Sequence, residues 1–231
     1  MPNDDLLAYL TDQRPHPLTP SLAEWLAGSR RFAAFAEANR DKIRKKLRGA
    51  QEPQPALDLR VELETAALLL GERQLSLVYE PQGLGRTRGP DFAVDYTTST
   101  RCMVEVTRLR APQSGAEPQP EAERLAEAVC GKLGQLLPQV ANVLIVGVET
   151  GPLTPEDLAL AIAALRRRAE QGDQRLLQRS AFRDTADFFK HFQRLSEVLV
   201  RGQTPAAWVN PQARHPLPSR VRTALRRSQG L

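Results

Sequence analysis

Two acidic side chains stand alone in neighbouring apolar stretches of the sequence. Asp91 opens the stretch 91–96, and Glu105 lies inside the stretch 102–108. A charge in such a stretch is costly to bury unless it is paired or binds a metal. In adjacent antiparallel strands the two carboxylates would lie side by side and repel each other. A divalent cation would relieve that repulsion, and hard oxygen ligands favour Mg²⁺ or Mn²⁺. A second interpretation stays open, in which Asp91 caps a turn and Glu105 pairs with an arginine on an edge strand.

The segments around these residues predict the elements that would hold them in place. Between residues 58 and 149 we expect the order α-β-β-β-α-β. The predicted segments are a helix over 58–70 capped by Asp58, strands over 74–80, 91–96 and 102–108, a helix over 121–137 and a strand over 142–148. A short polar turn between the second and third strands is typical of an antiparallel hairpin. Because side chains alternate along a strand, Glu105 and Thr107 share one face.

Proline-rich joints divide the rest of the chain from this core. We expect a helical N-terminal extension over 1–50, a core over 56–150 and a C-terminal α/β extension over 151–231 that packs on the core. The N-terminal extension includes a charged helix over 30–47. The C-terminal extension is predicted to hold helices over 155–171, 184–195 and 218–227, with apolar runs at 198–200 and 207–209.

The candidate strands carry a motif that resembles a known family. Pro-Asp at 90–91, followed by Glu-Val-Thr at 105–107 on the next strand, resembles the PD-(D/E)XK nuclease superfamily, and the element order resembles its core. The resemblance covers less than half of the chain. It implies a restriction-endonuclease-like α/β fold with a mixed sheet, and cleavage of phosphodiester bonds in nucleic acid, with DNA as the expected substrate. It also implies that Asp91, Glu105 and the carbonyl of Val106 bind Mg²⁺ or Mn²⁺.

A glutamate from the first core helix often joins the metal ligands in this family. Glu62 and Glu64 are the two candidates, and Glu62 is preferred because it fits the pattern Glu-Leu-x-x-Ala. The alternative for either residue is an exposed helix acid that pairs with Arg60.

The chain departs from the family at the third signature position, where Thr107 replaces a lysine. Either catalysis is lost or another cation takes the place of the lysine. Lys132 lies on a helical stripe with Leu125, Val129 and Leu136, which should face the sheet. Its ammonium could therefore reach Glu105, or its stem could instead carry the ammonium out to solvent. The expected catalytic set is Asp91, Glu105, Thr107 and Lys132.

The composition sets limits on the partners of the protein. The formal charge is +5, and Arg86 and Arg88, in the loop before Asp91, are predicted to contact a phosphate backbone. Aromatic residues make up 5% of the chain, which argues against a surface for stacking single-stranded bases. The arginines at 166–168 and 220–227 are interpreted as solvated helix faces.

The remaining features predict an ordinary cytoplasmic protein. Cys102 and Cys130 lie far apart in apolar runs, which indicates buried thiols in a reducing compartment. No apolar run approaches the ~20 residues that cross a membrane.

A metal-dependent nuclease is the leading interpretation, and the alternative is an inactive binding or scaffold module of the same fold. A helical interaction protein with incidental carboxylates is the third. The sequence leaves the oligomeric state open.

Overall fold

The computed structural model describes residues 1–81, 89–97, 99–111, 119–148 and 153–231. Within these ranges the chain forms ten helices and one six-stranded mixed sheet. The helices are α1 Asn3–Leu10, α2 Thr19–Gly28, α3 Arg30–Ala38, α4 Arg40–Gly49, α5 Pro53–Gly71, α6 Glu121–Leu133, α7 Pro155–Glu170, α8 Gln174–Arg179, α9 Thr185–Phe192 and α10 Ser219–Ser228. The strands are β1 Leu75–Tyr79, β2 Phe92–Tyr96, β3 Thr100–Leu109, β4 Ala141–Val148, β5 Leu195–Arg201 and β6 Ala206–Val209.

The strands lie in the sheet in their sequence order. β1, β2 and β3 are antiparallel neighbours, β3, β4 and β5 run parallel, and β6 pairs antiparallel with β5. The predicted order α-β-β-β-α-β is confirmed by α5 through β4. The antiparallel pairing of the two strands around Asp91 and Glu105 is also confirmed, in the register Phe92↔Val104.

The sheet separates two apolar cores, which explains why its central strands are apolar on both faces. Helices α1–α5 and α10 cover one face, against side chains such as Val104 and Val106. Helices α6–α9 cover the other face, against Leu144 and Val146 of β4. Cys102 and Cys130 are buried free thiols, as predicted. In the part of the chain that the structure describes, no helix is long and apolar enough to cross a bilayer.

The start of the helix predicted over 58–70 is wrong. α5 begins at Pro53, because proline is tolerated in the first turn, where the backbone N–H groups have no helical partner. Asp58 is therefore inside the helix, and its carboxylate accepts hydrogen bonds from Arg108 at 2.9 Å and from Arg110 at 2.6 Å.

Other boundaries also differ from the prediction. The helix expected over 30–47 is two helices, α3 and α4, that meet at Asn39, whose side chain donates to the carbonyl of Phe35 at 2.8 Å. The helix expected over 184–195 ends at Phe192, since Leu195 already belongs to β5. Helix α8 was not predicted, whereas the arginine-rich helix near the C-terminus is confirmed as α10.

Candidate functional site

Asp91 and Glu105 lie across from each other on neighbouring strands. Asp91 immediately precedes β2, one residue beyond the registered pair Phe92↔Val104, which places it opposite Glu105 of β3. Asp91 is 6% exposed and Glu105 is 2% exposed. The Oδ2 of Asp91 accepts a hydrogen bond from the N–H of Val106 at 2.8 Å. Two carboxylates are therefore buried side by side, a costly arrangement unless cations compensate it.

Lys132 of α6 supplies one such cation. Its Nζ donates to Glu105 Oε2 at 3.0 Å and to Gln135 Oε1 at 3.3 Å. Of the two alternatives for Lys132, the structure shows the contact with Glu105. The side chain of Lys132 is 19% exposed, so its ammonium is turned to the carboxylate and not out to bulk water. The catalytic role of Lys132 stays a prediction.

Thr107 is partly buried two residues after Glu105 on the same strand. A threonine carries no charge, so the ammonium beside Glu105 comes from α6 and not from β3. Arg108 points to the other face, where its buried guanidinium binds Asp58 and Gln54 of α5. The carbonyl of Val106 stays a predicted ligand, and Arg86 and Arg88 lie outside the described residues.

Glu62 is a partly buried carboxylate of α5, the helix that covers the face of Val104 and Val106. Its side chain is 12% exposed, and its Oε1 accepts from Tyr79 Oη at 2.6 Å and from Lys46 Nζ at 2.5 Å. The alternative of an exposed acid paired with Arg60 is therefore wrong for Glu62. Burial, followed by the negative charge of Asp91, raises the pKa of Glu62, although Lys46 and Tyr79 act in the opposite direction.

Glu64, the other candidate on α5, has a different environment. It forms an ion pair with Arg201 of β5, with 2.9 Å between Oε1 and Nη1. The charge of Asp91 helps to raise the pKa of Glu62, whereas Glu64 is engaged at the end of β5, so Glu62 stays the preferred candidate.

Sequence reasoning missed Lys46 and Tyr79. Lys46 of α4 also contacts Glu80 Oε1 at 2.8 Å, and its Nζ lies 4.9 Å from the centre of the Tyr79 ring. Burial lowers the pKa of Lys46, but the charges of Glu62 and Glu80 outweigh burial and the net direction is upward. Burial and the charge of Glu62 raise the pKa of the Tyr79 phenol, which therefore remains a hydrogen-bond donor at neutral pH.

The C-terminal arginines are more than a solvated surface. Arg226 Nε lies 2.6 Å from Glu197 Oε1, and Arg222 Nε lies 3.3 Å from Glu197 Oε2. Glu197 is buried in β5, so this part of the expectation for residues 220–227 is wrong. A buried carboxylate needs paired charge, and α10 supplies it to the sheet.

The donors fit the chemistry of a hard cation. Among the described residues, no group of three or more His, Cys, Asp or Glu side chains is arranged so as to hold a metal ion. Mg²⁺ is commonly held by only one or two carboxylates, with water and substrate phosphates completing its coordination. Asp91 and Glu105 supply two such carboxylates, and their oxygen atoms are the kind of ligand that Mg²⁺ and Mn²⁺ prefer.

No family model matches the chain, and no curated protein or solved structure matches it either.

Proposed function

We propose that the protein is a metal-dependent nuclease that cleaves phosphodiester bonds, with DNA as the expected substrate. In this proposal α5 through β4 form a restriction-endonuclease-like core of the PD-(D/E)XK type. The observation that supports it most is the ion pair between Lys132 and Glu105, directly beside Asp91. The ammonium of Lys132 therefore lies at the buried carboxylates, although the signature position on the strand itself is Thr107, which carries no charge.

In this proposal the metal is Mg²⁺ or Mn²⁺, held by Asp91, Glu105 and the carbonyl of Val106. Glu62 is the further candidate from α5. Such a cation lowers the pKa of a bound water and neutralises charge on the scissile phosphate. Val106 also fixes Asp91, because its N–H donates to Oδ2.

Lys132 would take the place of the missing lysine. An ammonium has three N–H donors. Two are directed at Glu105 and Gln135, so the third can donate to a phosphate oxygen or to the attacking water. In this proposal the negative charge of Glu105 holds the ammonium beside the metal-binding carboxylates, where it would stabilise the charge that a substrate phosphate gains during cleavage.

Cleavage assays on matched variants test this proposal. Wild-type protein with Mg²⁺ or Mn²⁺ should cut at least one form among duplex DNA, single-stranded DNA and RNA. Asp91→Asn and Lys132→Ala should each lower the rate by about 100-fold or more. The control for the first is Asp95→Asn, in β2 just after Asp91 but paired with the exposed Arg101. The control for the second is Lys190→Ala, an exposed lysine of α9.

Two outcomes would contradict parts of the proposal. Cleavage that survives Lys132→Ala unchanged would remove Lys132 from the chemistry, while rescue of that variant by Thr107→Lys would support the substitution. A wild-type protein that cuts none of the nucleic acids tested, with either Mg²⁺ or Mn²⁺ present, would contradict the proposal that the protein is a nuclease.

A non-catalytic binding module of the same fold is the second candidate. The presence of Thr107 at the lysine position favours it. The module would bind nucleic acid without cutting it, and log Kd would depend on log salt with a slope of about 0.9 per neutralised phosphate. Affinity that is undetectable even at low salt would instead favour an interaction with other proteins.

A further inference from the structure

Lys46 joins the N-terminal helices to the candidate site. Its Nζ lies 2.5 Å from Glu62 Oε1 and 2.8 Å from Glu80 Oε1, so a single ammonium bridges two carboxylates. The helix that carries it is firmly placed, since Ile43 and Leu47 of α4 are fully buried in the core shared with α5. The ammonium is therefore fixed by the fold.

A second lysine of α4 supports the same contact. Lys42, one helical turn before Lys46, donates to the carbonyls of Tyr79 at 2.8 Å and Glu80 at 3.4 Å. Glu80 has φ +44°, a left-handed conformation that is unfavourable for a glutamate. Lys42 and Lys46 together hold the backbone and the side chain of Glu80 in that position.

We propose that Lys46 is a tethered cation of the site, a positioning residue that fixes Glu62 and stands where a second divalent ion could otherwise bind. The proposal rests on the proposed function only in placing Glu62 beside the metal-binding pair. It follows that the N-terminal helices complete the site. If Asp91 and Glu105 bind a divalent ion, as the proposed function holds, we expect that ion to be the one divalent ion of the wild-type site.

The electrostatics of the three carboxylates favour this role. Glu62 is affected by the charge of Asp91, and Glu80 shares the ammonium of Lys46 with Glu62. Like charges in a partly buried site repel one another unless a cation stands between them. Tyr79 donates to Glu62 as well, but a phenol carries no positive charge, so among the described residues the opposite charge in contact with Glu62 Oε1 comes from Lys46.

Counting bound Mn²⁺ on the full-length chain tests the proposal. Electron paramagnetic resonance of free Mn²⁺ gives the number of ions per chain. Lys46→Met should bind one ion more than the wild type, because the substitution removes the ammonium that lies 2.5 Å from Glu62 Oε1. Lys46→Arg keeps a cation and should show no gain. Lys45→Met, a neighbouring exposed lysine on the same helix, is the matched control and should also show no gain.

The double variant Lys46→Met/Glu62→Gln assigns the additional ion to Glu62, and it should lose the gain. Equal Mn²⁺ numbers in the wild type and in folded Lys46→Met would overturn the proposal. A gain that persists in the double variant would overturn it as well.

The result also separates this proposal from the proposed function. A wild type that binds no Mn²⁺, with one ion in Lys46→Met, would contradict the metal site at Asp91 and Glu105 but support the role of Lys46. One ion in both proteins would leave the metal site standing and overturn the role of Lys46.

A stability measurement covers the case in which Lys46→Met fails to fold. Lys46→Gln retains a side chain of moderate length, and saturating Mn²⁺ should raise its Tm by about 5 °C more than that of the wild type. An equal rise in both proteins would count against the tethered cation.

Discussion

Replacing Lys132 by methionine should destabilise the protein in a way that depends on pH. The substitution removes the ammonium that lies 3.0 Å from Glu105 Oε2, while Glu105 stays 2% exposed. Methionine retains the apolar stem that packs along α6, so lost packing contributes little. The main effect is that a buried carboxylate loses the ammonium of Lys132, and breaking a buried ion pair in this way typically costs about 3–5 kcal/mol.

Protonation limits this loss of stability, because a buried carboxylate that loses its counter-charge can bind a proton and become neutral. A charge pair at 3 Å is worth about 5–6 kcal/mol at an effective dielectric constant of about 20, before desolvation is subtracted. An ordinary glutamate titrates near pH 4.3, so protonating it costs about 4 kcal/mol at pH 7 and about 1 kcal/mol at pH 5. Lys132→Met should therefore lower the free energy of unfolding by about 3–4 kcal/mol at pH 7 and by about 1 kcal/mol at pH 5.

Urea titrations at the two pH values measure the effect. The exposed-lysine variant Lys190→Met is the control and should change the free energy of unfolding by less than about 0.5 kcal/mol. Adding Glu105→Gln to Lys132→Met should recover most of the loss, because both charges are then absent. A loss below about 1 kcal/mol at pH 7, or one that is the same at pH 5, would refute a buried ion pair at this position.

Three further predictions concern the fold and the site. Gly147→Ala should lower the free energy of unfolding by about 2 kcal/mol in urea titrations, because the new Cβ would lie 2.5 Å from a valine methyl of α5. The matched variant Gly131→Ala places a Cβ that meets nothing within 4 Å, so it should raise the free energy of unfolding by about 0.5–1 kcal/mol. Arg226→Met should cost about 2 kcal/mol by the same assay, since it leaves buried Glu197 with one of its two arginines, and an unchanged stability would contradict that. Burial raises the pKa of Glu62 above its ordinary value of 4.5. The stability that this carboxyl contributes is therefore present below pH 4.5 and is lost as pH rises through the higher folded value. Glu62→Gln should flatten this fall in calorimetric scans that start at pH 4.5 and go upward.

The sequence predicted the core of the fold because its signals are local. Alternating and continuous apolar runs marked all four strands of the core, and the short polar turn before β3 indicated the hairpin that brings Asp91 next to Glu105. Helix boundaries were less accurate. The proline-rich segment between residue 50 and the core was interpreted as a joint, whereas its Pro53 opens α5, since the first turn of a helix tolerates proline.

Residues of the candidate site could be predicted only where the local sequence pattern shows which face of an element packs on its neighbour. The apolar stripe of α6 indicated Lys132, because helical periodicity alone predicts that this stripe packs on the sheet. Lys46 could not be found in this manner, because its contact with Glu62 depends on how α4 packs across α5, which no local pattern specifies. Lys42 and Lys46 are four residues apart on one helix face, and that spacing was the only available signal.

A crystal structure of the protein soaked in Mn²⁺, with anomalous scattering recorded at the manganese edge, would show whether a divalent ion binds between Asp91 and Glu105. We expect one anomalous peak about 2.1 Å from carboxylate oxygens of both residues, with Lys132 still beside Glu105. An anomalous map without a peak between these two carboxylates, at Mn²⁺ concentrations that saturate any binding seen in solution, would contradict this expectation.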